Sequence, residues 1–213
     1  MFAKPSGMMV LAGFALVTLA SCKGRDKPDD SPATTASPDT AAPTQRIVGP
    51  LSPADSQALS TMNDKIKEYI DLHTKLEATL PKLPEEATPQ QIDKNQRAFE
   101  ALMRKTRANA KRGDIFTPQA EPVIKRLLDS VFGGPDGKQL KRSIMDENPV
   151  GIKLAVNGRY PDTVPLSSVP PQVLQTLPAL SEDMEYRFVG DRLILLDTHA
   201  HVIADFIENA LPK

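Results

Sequence analysis

MEYRFVGDRLILLDTHAHVIADFI, residues 184–207, carries the reading that decides the fold. Met184, Tyr186 and Phe188 alternate with Glu185 and Arg187, the period of a half-buried strand. Gly190-Asp191 then fits a two-residue type II′ turn, because the first central position of that turn needs a positive φ. Arg192 to Leu196 holds four consecutive aliphatic residues, the pattern of a central strand covered on both faces. Val202 to Ile207 supplies the last strand. The expectation is an antiparallel β-meander of three strands. A fourth is offered by Lys153–Val156 and Arg159-Tyr160-Pro161 around an Asn157-Gly158 turn. Pro165, Pro170 and Pro171 interrupt what lies between, with Pro171 to Leu177 long enough for two helical turns.

Upstream the period changes to helical. Ser52-Pro53 opens a helix with a capping hydroxyl and Pro at the first turn. Leu59, Met62, Ile66, Tyr69, His73, Leu76 and Leu80 then alternate spacings of three and four, about three heptads, until Pro81 and Pro84. Thr88-Pro89-Gln90-Gln91 has the form of a capping box, and Gly113 is the expected end of that second helix. Pro118 to Phe132 forms a third helix closed by Gly133-Gly134-Pro135, and Lys138 to Asp146 a short fourth. The expected class is α+β. A helical region over 51–149, opening with an antiparallel hairpin, packs with a β-meander region over 150–213 as one domain, helices covering one sheet face. The heptad seam has two readings, a dimeric coiled coil or a helical hairpin packed within a single domain, and Leu59, Ile66 and Leu76 on it are the candidate partner-binding residues.

The first fifty residues have a different character. Lys4 precedes an apolar run from Met8 to Ala20, about 13 residues and too short to span a bilayer. It ends in Leu19-Ala20-Ser21-Cys22, which resembles the lipobox of bacterial lipoproteins. That resemblance implies a signal peptide over 1–21, a diacylglyceryl thioether on Cys22 and cleavage before it. Lys23, in the position after the lipidated Cys, implies by the same resemblance the periplasmic face of the outer membrane. Cys22 is the single Cys, so the chain can form no internal disulfide. Acyl chains contribute about 0.8 kcal/mol per buried methylene, and several together anchor a protein durably. Residues 22–50, rich in Pro, Thr, Ala, Ser and Asp, cannot bury enough apolar surface to fold and are expected to act as a tether.

Asp197-Thr198-His199-Ala200-His201 resembles the first metal-binding segment of the amidohydrolase and histidinol-phosphatase-like hydrolases. In those enzymes the segment stands on an early barrel strand, and further ligands follow on later strands. Here only residues 202–213 follow, without another His, so the barrel expectation fails. The local chemistry stands apart from that comparison. A hairpin loop joining the last two strands would bring Asp197, His199 and His201 together, with Asp205 a little farther off, as a weak divalent-metal site. The other reading of the loop is a polar connection that contains two His.

Other constellations are missing. Gly133-Gly134-Pro135-Asp136-Gly137-Lys138 lacks the phosphate-loop spacing, and no Gly-x-Ser-x-Gly elbow occurs. The chain has no Trp, a poor composition for stacking on carbohydrate. Arg104 to Arg112 is basic, but it lies at an expected helix end and carries no interleaved aromatics, so nucleic acid is not an expected partner. The formal net charge of −1 supplies no global attraction for polyanions. The functional expectation is therefore a non-catalytic, lipid-anchored envelope protein that binds a protein partner, with no cofactor beyond the lipid. The alternative is a small-ligand or divalent-metal sensor built on the His199/His201 hairpin.

Overall fold

The computed structural model of the protein describes residues 50–148 and 151–212. The expected signal segment, Cys22, Lys23 and the expected tether up to residue 49 lie outside the described residues. Among the described residues five helices precede three strands: α1 (Pro53–Glu77), α2 (Pro89–Thr106), α3 (Ala120–Phe132), α4 (Gly137–Asp146), α5 (Pro171–Thr176), β1 (Met184–Val189), β2 (Arg192–Asp197) and β3 (Val202–Ile207). The fold is α+β, with a small antiparallel meander in the order β1-β2-β3. No helix among the described residues is long and apolar enough to cross a membrane.

Local chemistry sets the helix starts. Ser52 Oγ accepts from Asp55 N at 3.1 Å. Thr88 and Gln91 close a reciprocal capping box, Thr88 N donating to Gln91 Oε1 at 2.8 Å and Gln91 N to Thr88 Oγ1 at 3.3 Å. The end of α2 differs from expectation: the helix stops at Thr106, not at Gly113. Arg107 turns inward there, stacking 4.7 Å above the Tyr69 ring and donating to Ala204 O at 3.1 Å. Gly113, at φ +89°, belongs instead to a loop whose amides gather on Asp205. The basic stretch is consequently divided, with Arg104 paired to Glu100, Arg107 half-buried against the sheet and Arg112 paired to Glu121.

The heptad seam is consumed by the domain itself. Leu59, Met62, Ile66, Tyr69 and His73 are buried, and Leu76 packs against the same core. One apolar cluster runs from Ala58 to Leu211 and includes residues of helices and sheet alike. Leu59, Ile66 and Leu76 are therefore not available as a partner surface without opening the core. This corrects the partner-surface reading of those three residues.

In the sheet, Gly190 takes φ +63° in the two-residue turn, and Val189 pairs with Arg192. Asn148 clamps that turn, its Nδ2 donating to Gly190 O at 2.8 Å and its Oδ1 accepting from Gly190 N at 3.0 Å. Between β2 and β3 the register shifts at Leu195/Leu196, leaving Ala204 as the extra residue of a bulge. The bulge lets both Ala204 and Asp205 serve the helical side, Ala204 as part of the main core. The second face of the sheet carries its own core of Tyr160, Val189, Ile194, Leu196, Ile203 and Phe206. Ile152, Leu154, Val156 and Val164 cover it from an irregular segment. That segment joins the free edge of β3 at a single bridge, Arg159 to Val202, so the expected fourth strand is reduced to one rung. Asn157, at φ +62°, takes the left-handed position of the expected Asn-Gly turn.

Candidate functional site: a buried histidine at the end of helix 1

Asp197 is the last residue of β2 and is wholly buried. Its Oδ1 accepts from Ala200 N at 2.7 Å, closing the loop that leads to β3. Its Oδ2 accepts from Tyr69 Oη at 2.9 Å and faces His73 Nδ1 at 2.8 Å. Both partners come from the seam face of α1, where spacings of three and four residues align side chains. With Tyr69 already donating, the Asp197 carboxyl calls for the proton on His73 Nδ1, which leaves the lone pair of the neutral ring on Nε2.

His73 itself is 1% exposed, and its Nε2 has no hydrogen-bond partner. A buried polar atom without a partner is uncommon, because it forfeits hydration and gains nothing in return. Around it stand Glu77 Oε2 at 3.7 Å and Asp183 Oδ2 at 3.9 Å. His199 completes the group, with Nδ1 3.2 Å from Glu77 Oε1. Phe99 presents an edge to both rings, with centroids 4.7 Å from His73 and 5.0 Å from His199. Burial alone lowers the His73 pKa. The Asp197 hydrogen bond and the charges of Asp197, Asp183 and Glu77 outweigh it, so the net position is above the ordinary imidazole value.

One donor atom each from His73, Glu77 and His199 falls within 4.8 Å of the other two. A tetrahedral ion with bonds of 2.0–2.1 Å holds its ligands about 3.3 Å apart. Glu77 spans the two imidazoles, Oε1 standing 3.2 Å from His199 Nδ1 and Oε2 3.7 Å from His73 Nε2, so gathering all three donors on one ion requires the carboxylate and the rings to draw together. Two imidazoles and one carboxylate suit zinc and its neighbours among the divalent transition metals. Asp197 then stands behind the ligand, fixing its tautomer and ring orientation, as carboxylates do behind metal-bound His.

The DTHAH pentapeptide is thus split. Asp197 supports His73, and His199 joins the donor group. His201, at φ +56°, places its ring edge-on to Tyr160 at 5.7 Å, and its Nε2 is 3.6 Å from Asp162 Oδ1. Tyr160 belongs to the second core and Phe99 to the main one, so the two His rings pack toward opposite faces of the sheet. Burial, with the Arg159 charge, keeps His201 below the usual imidazole pKa. The expected grouping of Asp197, His199 and His201 on one ion is not what the geometry presents. His201 takes a left-handed conformation, which breaks the alternation that would otherwise keep positions 197, 199 and 201 on one side, and turns its ring away from His199. Asp205 lies apart as well, its carboxyl taken by the amides of Gly113, Ile115, Phe116 and Phe206.

His73 and Glu77 are the residues that sequence reasoning missed as donors. Their signal is present: His and Glu four residues apart share a helix face, and the His occupies an otherwise apolar seam. Comparison with known protein families, curated proteins and solved structures finds no match for this chain.

Proposed function

We propose that this chain is an exported lipoprotein whose folded domain binds a divalent metal ion. Cys22 carries the lipid, residues 23–50 form the tether, and His73, Glu77 and His199 provide the metal ligands. The carrying observation is the partnerless Nε2 of buried His73, aimed at Glu77 and His199 while Asp197 holds the opposite ring nitrogen. The role is binding, as a metal sensor or store at the envelope, with the lipobox and Lys23 supporting the outer membrane as its location. The competing protein-partner reading relied on the face of Leu59, Ile66 and Leu76, which the core occupies.

The test is metal content. The lipidated protein, purified from membranes, dialysed against buffered zinc and analysed by elemental mass spectrometry, retains one equivalent. His73→Gln loses it and His201→Gln keeps it. Retention by His73→Gln, or absence of retained zinc in the unsubstituted protein, refutes the metal reading. For the anchor, Cys22→Ala moves the protein from the membrane pellet to the soluble fraction. A membrane-bound Cys22→Ala protein refutes it.

A further inference from the structure

His73, Glu77 and His199 fill three corners of a tetrahedral ion, and the fourth falls to solvent or to another side chain. Charge bears on that choice. Glu77 and Asp183 stand on the Nε2 side of His73, while Asp197 holds the opposite ring nitrogen. Among the described residues no Lys or Arg pairs with any of these carboxylates: Glu77 meets His73 and His199, and Asp183 and Asp197 meet His73 alone. Carboxylates gathered about two imidazoles with no side-chain cation among them leave a surplus of negative charge that a dication satisfies. The same surplus disfavours an anion from solution as the fourth ligand.

Asp183 meets the geometric requirement. Its Oδ2 is 3.9 Å from His73 Nε2, about 0.6 Å beyond the separation of two ligands on a tetrahedral ion. The backbone at this residue is fixed, its carbonyl accepting from Thr198 N at 2.9 Å and from Thr198 Oγ1 at 3.2 Å. Thr198 lies between Asp197, which holds His73, and His199, which is a ligand. Asp183 is therefore tied to the loop that carries the site, while its side chain, 44% exposed, is not locked by the core. It stands outside the trio of donors within 4.8 Å of one another, so it joins them by turning about its own side-chain bonds.

We infer that Asp183 is the fourth ligand, so that the ion sits in a closed site of two imidazoles and two carboxylates joining α1, the residue before β1 and the β2–β3 loop. The inference rests on the metal reading above. It adds the remaining ligand and the site's mode of action. Four protein ligands are the pattern of structural zinc, which lacks the open position that catalysis needs. Two carboxylates also cancel the charge of a divalent ion. The donors come from three separate segments of the chain, so occupancy is coupled to the tertiary fold, and the metal concentration is read out as the stability of the domain.

Cobalt(II) tests the closure, since its visible absorption follows coordination. The full lipidated protein in a non-ionic detergent is titrated with Co²⁺ alone, and azide is then added as a probe for an open position. The unsubstituted protein should bind one equivalent, with a spectrum that azide leaves unchanged. Asp183→Ala should weaken Co²⁺ binding at least about 10-fold, no less than the loss of a group that merely supports a ligand costs. Glu182→Ala removes an exposed carboxylate one residue away and should leave the affinity within about twofold. In chelator the urea midpoint of Asp183→Ala should lie within about 0.3 M of the unsubstituted protein's, as expected of a partly exposed side chain. The inference is overturned if Asp183→Ala binds Co²⁺ as tightly as the unsubstituted protein, if Glu182→Ala weakens binding equally, or if azide alters the spectrum of the unsubstituted protein. Failure of the unsubstituted protein to take up Co²⁺ overturns the metal reading and this inference with it.

Discussion

Removing the Asp197 carboxyl tests the architecture behind the site. In Asp197→Ala three buried donors lose their acceptor together: Tyr69 Oη, His73 Nδ1 and Ala200 N. Each unsatisfied buried donor costs about 1–3 kcal/mol. Rotation of the Tyr69 hydroxyl and relaxation of the 198–201 loop recover part of the simple sum, which sets the expected loss at about 3–5 kcal/mol. With a urea m-value of about 2 kcal/mol/M, the unfolding midpoint falls by about 1.5–2.5 M. Asp197→Asn keeps one acceptor oxygen and loses about 1–2 kcal/mol. Its amide also favours the His73 tautomer with the proton on Nε2, so metal affinity falls about 10- to 100-fold even where the fold survives. The chain has no Trp, so far-ultraviolet circular dichroism is the appropriate probe of unfolding. A midpoint shift below about 0.5 M for Asp197→Ala would refute the three-donor account.

Further consequences follow from individual contacts. His73 has a raised native pKa, so in metal-free protein its protonated form contributes stability in full below the unfolded value of 6.5, and that contribution is lost as pH rises through the native value. Urea midpoints measured with chelator from about pH 6 to 8.5 should decline more steeply for the unsubstituted protein than for His73→Gln, and parallel curves would contradict the assignment. Asp205→Asn, which leaves one carbonyl oxygen for four backbone N–H donors, should cost about 2–4 kcal/mol and speed hydrogen exchange at Gly113, Ile115 and Phe116. Unchanged exchange at those amides would show that Asp205 does not order the loop. Gly137→Ala drives a Cβ into the Phe132 carbonyl and should destabilise by about 2–3 kcal/mol. Gly190→Ala, in open space at φ +63°, should cost only about 1 kcal/mol. Melting temperatures in the reverse order would contradict the α3–α4 corner.

The strands were legible because their signal is local. Alternation over Met184–Phe188, the Gly190 turn and the aliphatic run after it place β1 and β2 without reference to the rest of the chain. Helix starts were equally legible, since Ser52 and Thr88 cap through neighbours three residues away. What escaped depends on distant partners. The early end of α2 follows from Arg107 reaching a carbonyl on β3, a contact that no local propensity encodes. The bulge at Ala204 adds one residue to a strand of otherwise ordinary composition, so the face that Asp205 serves could not be read from alternation.

The site was half legible. The pentapeptide drew attention to the correct loop, and the seam drew attention to the correct helix face. Joining them requires the contact between His73 and Asp197, which are far apart in sequence. His73 in a heptad position resembles a tolerated core residue, and only the packing of α1 on the end of β2 reveals that one ring nitrogen is held and the other free. His201 misled for a related reason: a single left-handed residue before β3 separates it from His199.

The most direct test is anomalous diffraction at the zinc edge from crystals of the protein grown with zinc. The account predicts one strong peak within about 2.0–2.2 Å of His73 Nε2, a Glu77 carboxylate oxygen and His199 Nδ1. A peak shared by His199 and His201, or none at His73, would contradict it.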